Sequence, residues 1–424
     1  MNRVVVTGVG VLAPNAHGAD AFAAALRGMK SGIRRHERLA ELGFSCQVGG
    51  IPEDVDELRH AYLREDELLA MNPNMVYAAI AAIDAWEHAG LRRPGPDDEP
   101  DWGAGAILGT GIGGIDTIAE QLAPRVDAGK VGRLGSTMVE RIMSSGNSAR
   151  VAGLLALGNQ VSTNSSACTT GTEAVVQAFL RIREGRAERM LAGGSEGHSP
   201  YIWAGFDGMK VLARGRNEDP AGASRPLSAT ACGFVPGSGA GVLMLESLES
   251  ARRRGARILA EVIGGHVNCG GHRGGGSMTA PNPTGVRRCI RAAVEMAGIP
   301  PSRIDAINGH LTATFADPYE VASWSAALEL PPSRMPWIHS TKSLIGHALG
   351  AAGGIECAAA VLELAHGFVH GSANCEDLHP ALEAYAERIP HRTIDALDLD
   401  VVAKASFGFG DVNGCAIFRR FHEE

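Results

Sequence analysis

The chain has 424 residues, 45% of them hydrophobic and 20% charged, enough for a large core and long enough for two domains or one duplicated domain. A net charge of −8 with no long basic run excludes a general nucleic-acid binder. The eight cysteines form no CxxC pair and no regular ladder, so neither zinc nor a disulfide framework is expected and a reducing compartment fits.

The N-terminus, Met1-Asn2-Arg3-Val4-Val5-Val6, enters a strand-like run with no signal-peptide architecture. No apolar run reads as long enough to span a bilayer, so a soluble cytoplasmic protein with no membrane partner is expected. The strand leads into Thr7-Gly8-Val9-Gly10, read as a glycine-rich turn. Because Ala13 breaks the G-x-G-x-x-G pattern, nucleotide binding is not expected. Ala21 to Arg27 reads as a short amphipathic helix, and Val76 to Ala89 as a longer one closed by Gly90. Residues 91–102, rich in Pro and Asp, make a surface loop. Gly105 to Leu108 is a buried strand running into Gly109-Thr110-Gly111-Ile112-Gly113-Gly114. Residues 136–157 read as one helix, with small residues through Met143 to Ala149 that suit tight packing, as across a subunit interface.

Next come a strand-like Gln160-Val161-Ser162-Thr163 and the stretch Asn164-Ser165-Ser166-Ala167-Cys168-Thr169-Thr170-Gly171-Thr172. From Thr172 to Arg183 the apolar residues recur at helical spacing. Cys168 therefore falls where a strand turns into a buried helix, where the unpaired N–H groups of a helix start favour a thiolate. Strands follow at Arg189 to Gly194 and, through a glycine loop, at Gly233 to Leu245. A second half begins near Ile258: strand Ile258 to Ile263, helix Thr284 to Ala297, strand Ile304 to Ile307 leading to His310, and a helix around Tyr319 to Ala327. Trp337 to Thr341 then leads into Lys342 and His347, before the apolar helix Ala348 to Leu364 and strands Val401 to Ser406 and Cys415 to Phe418. Alternating strands and helices in both halves predict an α/β fold with mixed sheets under helices.

Cys168, His310, His347 and Lys342 supply what thiol-based acyl transfer needs: a nucleophile, and neutral imidazoles that donate to a developing oxyanion or enolate. Lys342 lies among small and apolar residues, where a cation needs a partner. Glu356, nine residues beyond His347 on the next helix, is the candidate.

Seven ordered stretches carry a resemblance over nearly the whole chain: Val4 to Gly10, Gly109 to Gly114, Ser165 to Gly171, Ala192 to Glu196, Gly233 to Gly241, Ser340 to Gly353 and Phe407 to Gly410. The chain resembles the β-ketoacyl-acyl-carrier-protein synthases of types I and II, condensing enzymes of the thiolase fold. The resemblance implies a duplicated five-layered αβαβα architecture, with an N-terminal half at 1–256 holding the cysteine and a C-terminal half at 257–424 holding the histidines. It implies that Cys168 takes an acyl chain, that His310 and His347 assist decarboxylation of a malonyl thioester, and that Lys342 with Glu356 supports them. The N–H groups of Cys168 and Phe409 would form the oxyanion hole, with Phe409 as gate. Ile112 and Phe206 would line the acyl pocket, and Thr312 and Thr314 would hold the phosphopantetheine arm. No cofactor would be bound; phosphopantetheine arrives on the acyl carrier protein. The implied assembly is a homodimer, or a heterodimer with a related subunit.

Two departures stand out. Leu311 replaces the glycine of the usual His-Gly-Thr-x-Thr and is expected to add bulk near the pantetheine channel. Asp411 replaces a glycine in Gly-Phe-Gly-Gly-x-Asn, so the gating loop gains a carboxylate and loses freedom. Leu63-Arg64-Glu65-Asp66-Glu67 is acidic where the family often presents a basic carrier-docking helix. Arg125, Lys130 and Arg133, or Lys210, Arg214 and Arg216, are the alternatives. A ketosynthase of a specialised polyketide, polyene or pigment pathway, or a non-catalytic chain-length-factor-like partner, are the competing readings. A biosynthetic thiolase would want a Cys-x-Gly motif, and Gly414-Cys415-Ala416 does not supply it.

Overall fold

The computed structural model describes residues 1–423. Ten strands lie along one continuous path: β1 (Val4–Ala13), β2 (Ala104–Gly109), β3 (Val161–Ser162), β4 (Arg189–Glu196), β5 (Gly239–Ser247), β6 (Ala260–Cys269), β7 (Ala306–Asn308), β8 (Trp337–His339), β9 (Val401–Gly408) and β10 (Val412–Arg419). Their spatial order is β8-β7-β9-β10-β6-β1-β5-β4-β2-β3. From the centre outward each half repeats one pattern. The first strand (β1 or β6) pairs antiparallel with the last (β5 or β10), that strand pairs antiparallel with the one before it, and two parallel strands follow. The halves join where Val4, Val5 and Val6 pair with Val262, Glu261 and Ala260.

Five helices matter for the site: α1 (Pro73–His88), α2 (Thr170–Arg183), α3 (Pro283–Ala297), α4 (Asp317–Leu328) and α5 (Ala352–His366). Helices α2 and α5 form the middle layer, each touching strands of both halves; α1 covers the outer face of the first half, and α3 with α4 that of the second. This is the αβαβα arrangement. The middle helices cross through their N-terminal glycines. A Cβ on Gly171 would lie 2.3 Å from the backbone nitrogen of Gly354, and one on Gly353 2.4 Å from that of Thr172. No side chain fits there.

Three expectations change. The segment Thr7 to Gly10 is not a turn, because β1 runs unbroken from Val4 to Ala13. Its glycines admit α1 instead: Cβ atoms at Gly8 and Gly10 would fall 2.0 and 1.9 Å from the carbonyl oxygens of Ala85 and Ala81. The helix expected over 136–157 is two helices, Met138–Ile142 and Gly146–Leu154, broken at Met143, whose backbone is extended. Finally, Leu349–His366 is long and apolar enough by composition to cross a membrane, although 89% of it is buried inside the protein, where α5 is a core helix packed between the two halves of the sheet.

Candidate active site

Cys168 sits on a one-turn 3-10 segment, Ala167–Thr169, that runs directly into α2. Ala167 holds a positive φ of 49°, a conformation that costs energy in a non-glycine residue and persists only where neighbours enforce it. Thr170 enforces it by donating its hydroxyl to the Ala167 carbonyl (2.7 Å) while accepting the N–H of Ser166 (2.8 Å). Thr169 donates to the Val412 carbonyl, tying the turn to β10. Cys168 is 9% exposed as a residue. Burial pushes the thiol up to about 11, against the opposing pull of the Lys342 ammonium and the Phe409 N–H. The expected resting thiolate is therefore replaced by a thiol, because desolvation of the charged form outweighs the helix start.

His310 follows β7, and His347 precedes α5. Their rings stand edge to face with centroids 5.2 Å apart, and reactive atoms of Cys168, His310 and His347 all lie within 4.8 Å of one another. Burial first, then Lys342 (with His347 acting on His310) and Lys404, holds both rings far below the usual histidine value, so both are neutral at neutral pH. The His347 Nδ1 accepts the Leu349 N–H at 3.3 Å, which leaves its proton on Nε2 and makes that atom a donor. His310 Nδ1 has no partner among the described residues.

Two buried carboxylates shape the loop after His310. Glu320 accepts the N–H groups of His310 (2.7 Å) and Leu311 (2.8 Å), and Asp317 those of Thr312 (2.8 Å) and Ala313 (3.0 Å). Thr312 and Thr314 end side by side, hydroxyl oxygens 3.0 Å apart. Lys342 is ion-paired with Glu356, which lies on α5. The other oxygen of Glu356 meets Lys404 of β9 at 2.9 Å, and Lys404 also donates to the Ala405 carbonyl and the Ser406 hydroxyl. One carboxylate thus carries two buried ammonium groups beside both histidines.

Phe409 lies in the turn between β9 and β10, where its backbone N–H draws the Cys168 thiol down, and the preceding Gly408 abuts the nucleophile: a Cβ there would fall 3.1 Å from the Cys168 nitrogen. The Phe409 ring packs on Phe206 (6.0 Å between centroids), Phe206 on Phe234 (5.4 Å) and Phe234 on His347 (5.2 Å). On the other side, Glu196 gathers the loop after β2. It accepts the N–H groups of Gly111 (2.7 Å), Ile112 (3.2 Å) and Gly350 (3.0 Å) and the Thr110 hydroxyl (3.0 Å).

A thiol, two neutral imidazoles and a main-chain N–H within one buried cluster describe a site for acyl transfer. Comparison with known proteins agrees. The family model described as Beta-ketoacyl synthase, N-terminal domain matches residues 1–251, and Beta-ketoacyl synthase, C-terminal domain matches 259–376. The chain belongs to the β-ketoacyl synthase family. It is 35% identical to 3-oxoacyl-[acyl-carrier-protein] synthase 2 of Vibrio harveyi, over 99% of both chains. Among solved structures, the ishigamide ketosynthase/chain length factor aligns with a TM-score of 0.89 at 30% identity, covering 99% of this chain and 100% of that one. A type II PKS ketosynthase solved with its acyl-carrier protein aligns at 0.86 and 28% identity, covering 99% and 100%.

Within this synthase, Cys168, His310, His347, Lys342, Glu356, Phe409 and Phe206 converge. Thr312 and Thr314 sit on the loop that presents His310. Ile112 is 42% exposed, so this chain alone does not enclose its side chain. Leu311 does not crowd a channel: it is 1% exposed and belongs to the core that includes Val321, Trp324 and Ile338. Its N–H points to Glu320, which turns the side chain inward. Lys404, Glu320 and Asp317 escaped the sequence reading. A lone Lys in an apolar strand was their strongest signal, since a buried ammonium demands a partner.

Proposed function

We propose that this synthase performs a decarboxylating Claisen condensation of an acyl primer with a malonyl thioester, both delivered on the phosphopantetheine arm of an acyl carrier protein. The observation that carries this reading is the convergence of Cys168, His310 and His347 within 4.8 Å. The Cys168 sulfur attacks the primer thioester, the N–H groups of Cys168 and Phe409 receive the oxyanion, and the pantetheine sulfur leaves with the thiol proton. The malonyl thioester then loses CO2. His347 Nε2–H donates to the enolate oxygen, His310 being the second neutral donor, and the enolate carbon attacks the acyl group on Cys168. The cysteine sulfur leaves and takes up a proton, giving 3-oxoacyl carrier protein.

In this reading Lys342 and Lys404, both paired with Glu356, keep the imidazoles neutral, Thr312 and Thr314 hydrogen-bond the pantetheine arm, and Phe206 and Ile112 line the acyl pocket. The exposure of Ile112 in a single chain favours a dimer in which a second subunit covers it. Residues 1–256 supply the cysteine and 257–424 the histidines, a division supported by the repeated strand order. A second reading, a ketosynthase of a specialised polyketide-type pathway, is favoured by the likeness to the polyketide ketosynthase structures and by the departures at Leu311 and Asp411. Incubation with malonyl carrier protein and a panel of acyl carrier thioesters tests both. CO2 release with 3-oxoacyl product from saturated primers supports the first, and turnover only with polyenoyl or polyketidyl primers supports the second. The absence of CO2 release with every primer overturns condensation.

A further inference from the structure

Asp411 occupies the turn that carries Phe409, and three observations mark it as more than a tolerated substitution. It is fully buried although the loop facing it is largely exposed. Its backbone holds φ at 60°, in the left-handed region where Asp is tolerated and glycine is favoured. Its carboxylate accepts two main-chain N–H groups from the segment 269–282: Asn282 on Oδ1 at 2.7 Å and His272 on Oδ2 at 3.0 Å. Asn282 is the N-cap of α3, so the carboxylate also ties the turn to the start of that helix.

The facing segment is shaped around this carboxylate. A Cβ on Gly270 would lie 2.2 Å from Asp411 Oδ2, and one on Gly276 2.4 Å from it. The glycine-rich sequence Cys269 to Gly276 therefore leaves room for one acid at one place. Further hydrogen bonds close the clasp. Gly410 N–H donates to the Met278 carbonyl and Gly270 N–H to the Asp411 carbonyl, both at 2.9 Å. The Gly410 carbonyl faces the His272 ring (3.2 Å) and the Cys269 thiol (3.6 Å). Phe409 is the neighbour of this clasped peptide, and its turn abuts the nucleophile: a Cβ on Gly408 would fall 3.1 Å from the Cys168 nitrogen, and Thr169 donates to the Val412 carbonyl.

We propose that Asp411 is a positioning residue for acyl transfer: its buried carboxylate latches the Phe409 turn onto the 269–282 segment and thereby fixes the Phe409 N–H over the Cys168 sulfur. The latch acts on the step that uses that N–H, acylation of Cys168, and not on decarboxylation, which uses the histidines. This inference rests on the condensing reading above.

The test compares wild type with Asp411→Gly and Asp411→Asn in both half-reactions. Cys168 acylation is followed by rapid-quench intact-protein mass spectrometry with an acyl carrier thioester, and decarboxylation by CO2 release from malonyl carrier protein. Glycine removes the strain and the latch together, so the acylation rate constant is expected to fall about tenfold, below the hundredfold or more seen when an oxyanion donor is removed outright. CO2 release should change less than about twofold on the same scale. Asparagine keeps one acceptor oxygen and should fall between, and it carries the test alone if the glycine variant does not fold. Wild-type acylation rates in the variants would overturn the latch. So would equal slowing of both half-reactions, which marks a merely structural role. If wild type itself takes no acyl group, the condensing reading fails, a result distinct from failure of the latch.

Discussion

Glu356 is the residue on which the electrostatics of the site turn. It meets Lys342 with one oxygen and Lys404 with the other, and an ammonium left unpaired at that depth would cost several kcal/mol. Both lysines help hold His310 and His347 neutral. Replacing Lys404 with Met should therefore let both histidines protonate at higher pH, moving the acid limb of the condensation profile upward; a pH–rate profile superimposable on wild type would refute this. At Leu311 the core position, not a channel, predicts the outcome. Leu311→Ala should cost about 2–5 kcal/mol of stability, as buried truncations do, with the KM for carrier thioester little changed, as denaturant titration and steady-state kinetics can show. At this scale Cys168, His310, His347, Lys342 and Glu356 were legible because each sits in a distinctive run of small residues. Glu320 and Asp317 were not, because an acidic residue near a helix start reads as an ordinary solvated first turn until its backbone partners are visible.

At the scale of elements, the crossing of α2 and α5 sets the distance between nucleophile and imidazole. Gly171 lies three residues after Cys168, and α5 begins five residues after His347. Gly171→Ala places a methyl 2.3 Å from the Gly354 nitrogen, so the helices must separate. The variant should lose about 1–3 kcal/mol, the usual cost of overpacking, and most of its Cys168 acylation. Retention of both would show that the crossing is slack. Periodicity located α1, α2, α3 and α5 to within a few residues, yet it missed the break at Met143. Small residues and serines continue a helical pattern on paper, while the break is decided by packing: Gly146 N–H donates to the Met143 carbonyl across the corner, and a Cβ there would strike Met75. Gly8 and Gly10 mislead for the same reason, since a glycine pair serves a turn or a close helix equally well.

Across the whole molecule, the duplication was legible in the order of elements and not as sequence identity, because a pairing pattern can repeat without shared residues. The buried charge set also predicts a pH response. Burial holds His339 at about 3 and His370 at about 4, with His310 and His347 lower than usual as well. Unfolding lets all four take up protons near pH 6.5, so they lower stability as pH falls below that value. Glu320 and Glu363, raised to about 7 by burial, oppose this, because the folded state keeps protons that the unfolded state releases above pH 4.5. Burial also lowers His36, His198 and His366 and raises Glu196 and Asp317, so seven histidines stand against four carboxyls and leave a net loss of stability from pH 6.5 toward 5, measurable by equilibrium denaturation; a flat profile would contradict it. The catalytic expectations presuppose that Cys168 carries the acyl chain. The most direct measurement is intact-protein mass spectrometry after incubation with acyl carrier thioesters, with Cys168→Ala as control. The account predicts a mass gain equal to the acyl group in wild type and none in the variant. A folded wild-type protein that gains no mass with any primer, or a variant that gains it equally, would contradict the account and point to a non-catalytic partner subunit.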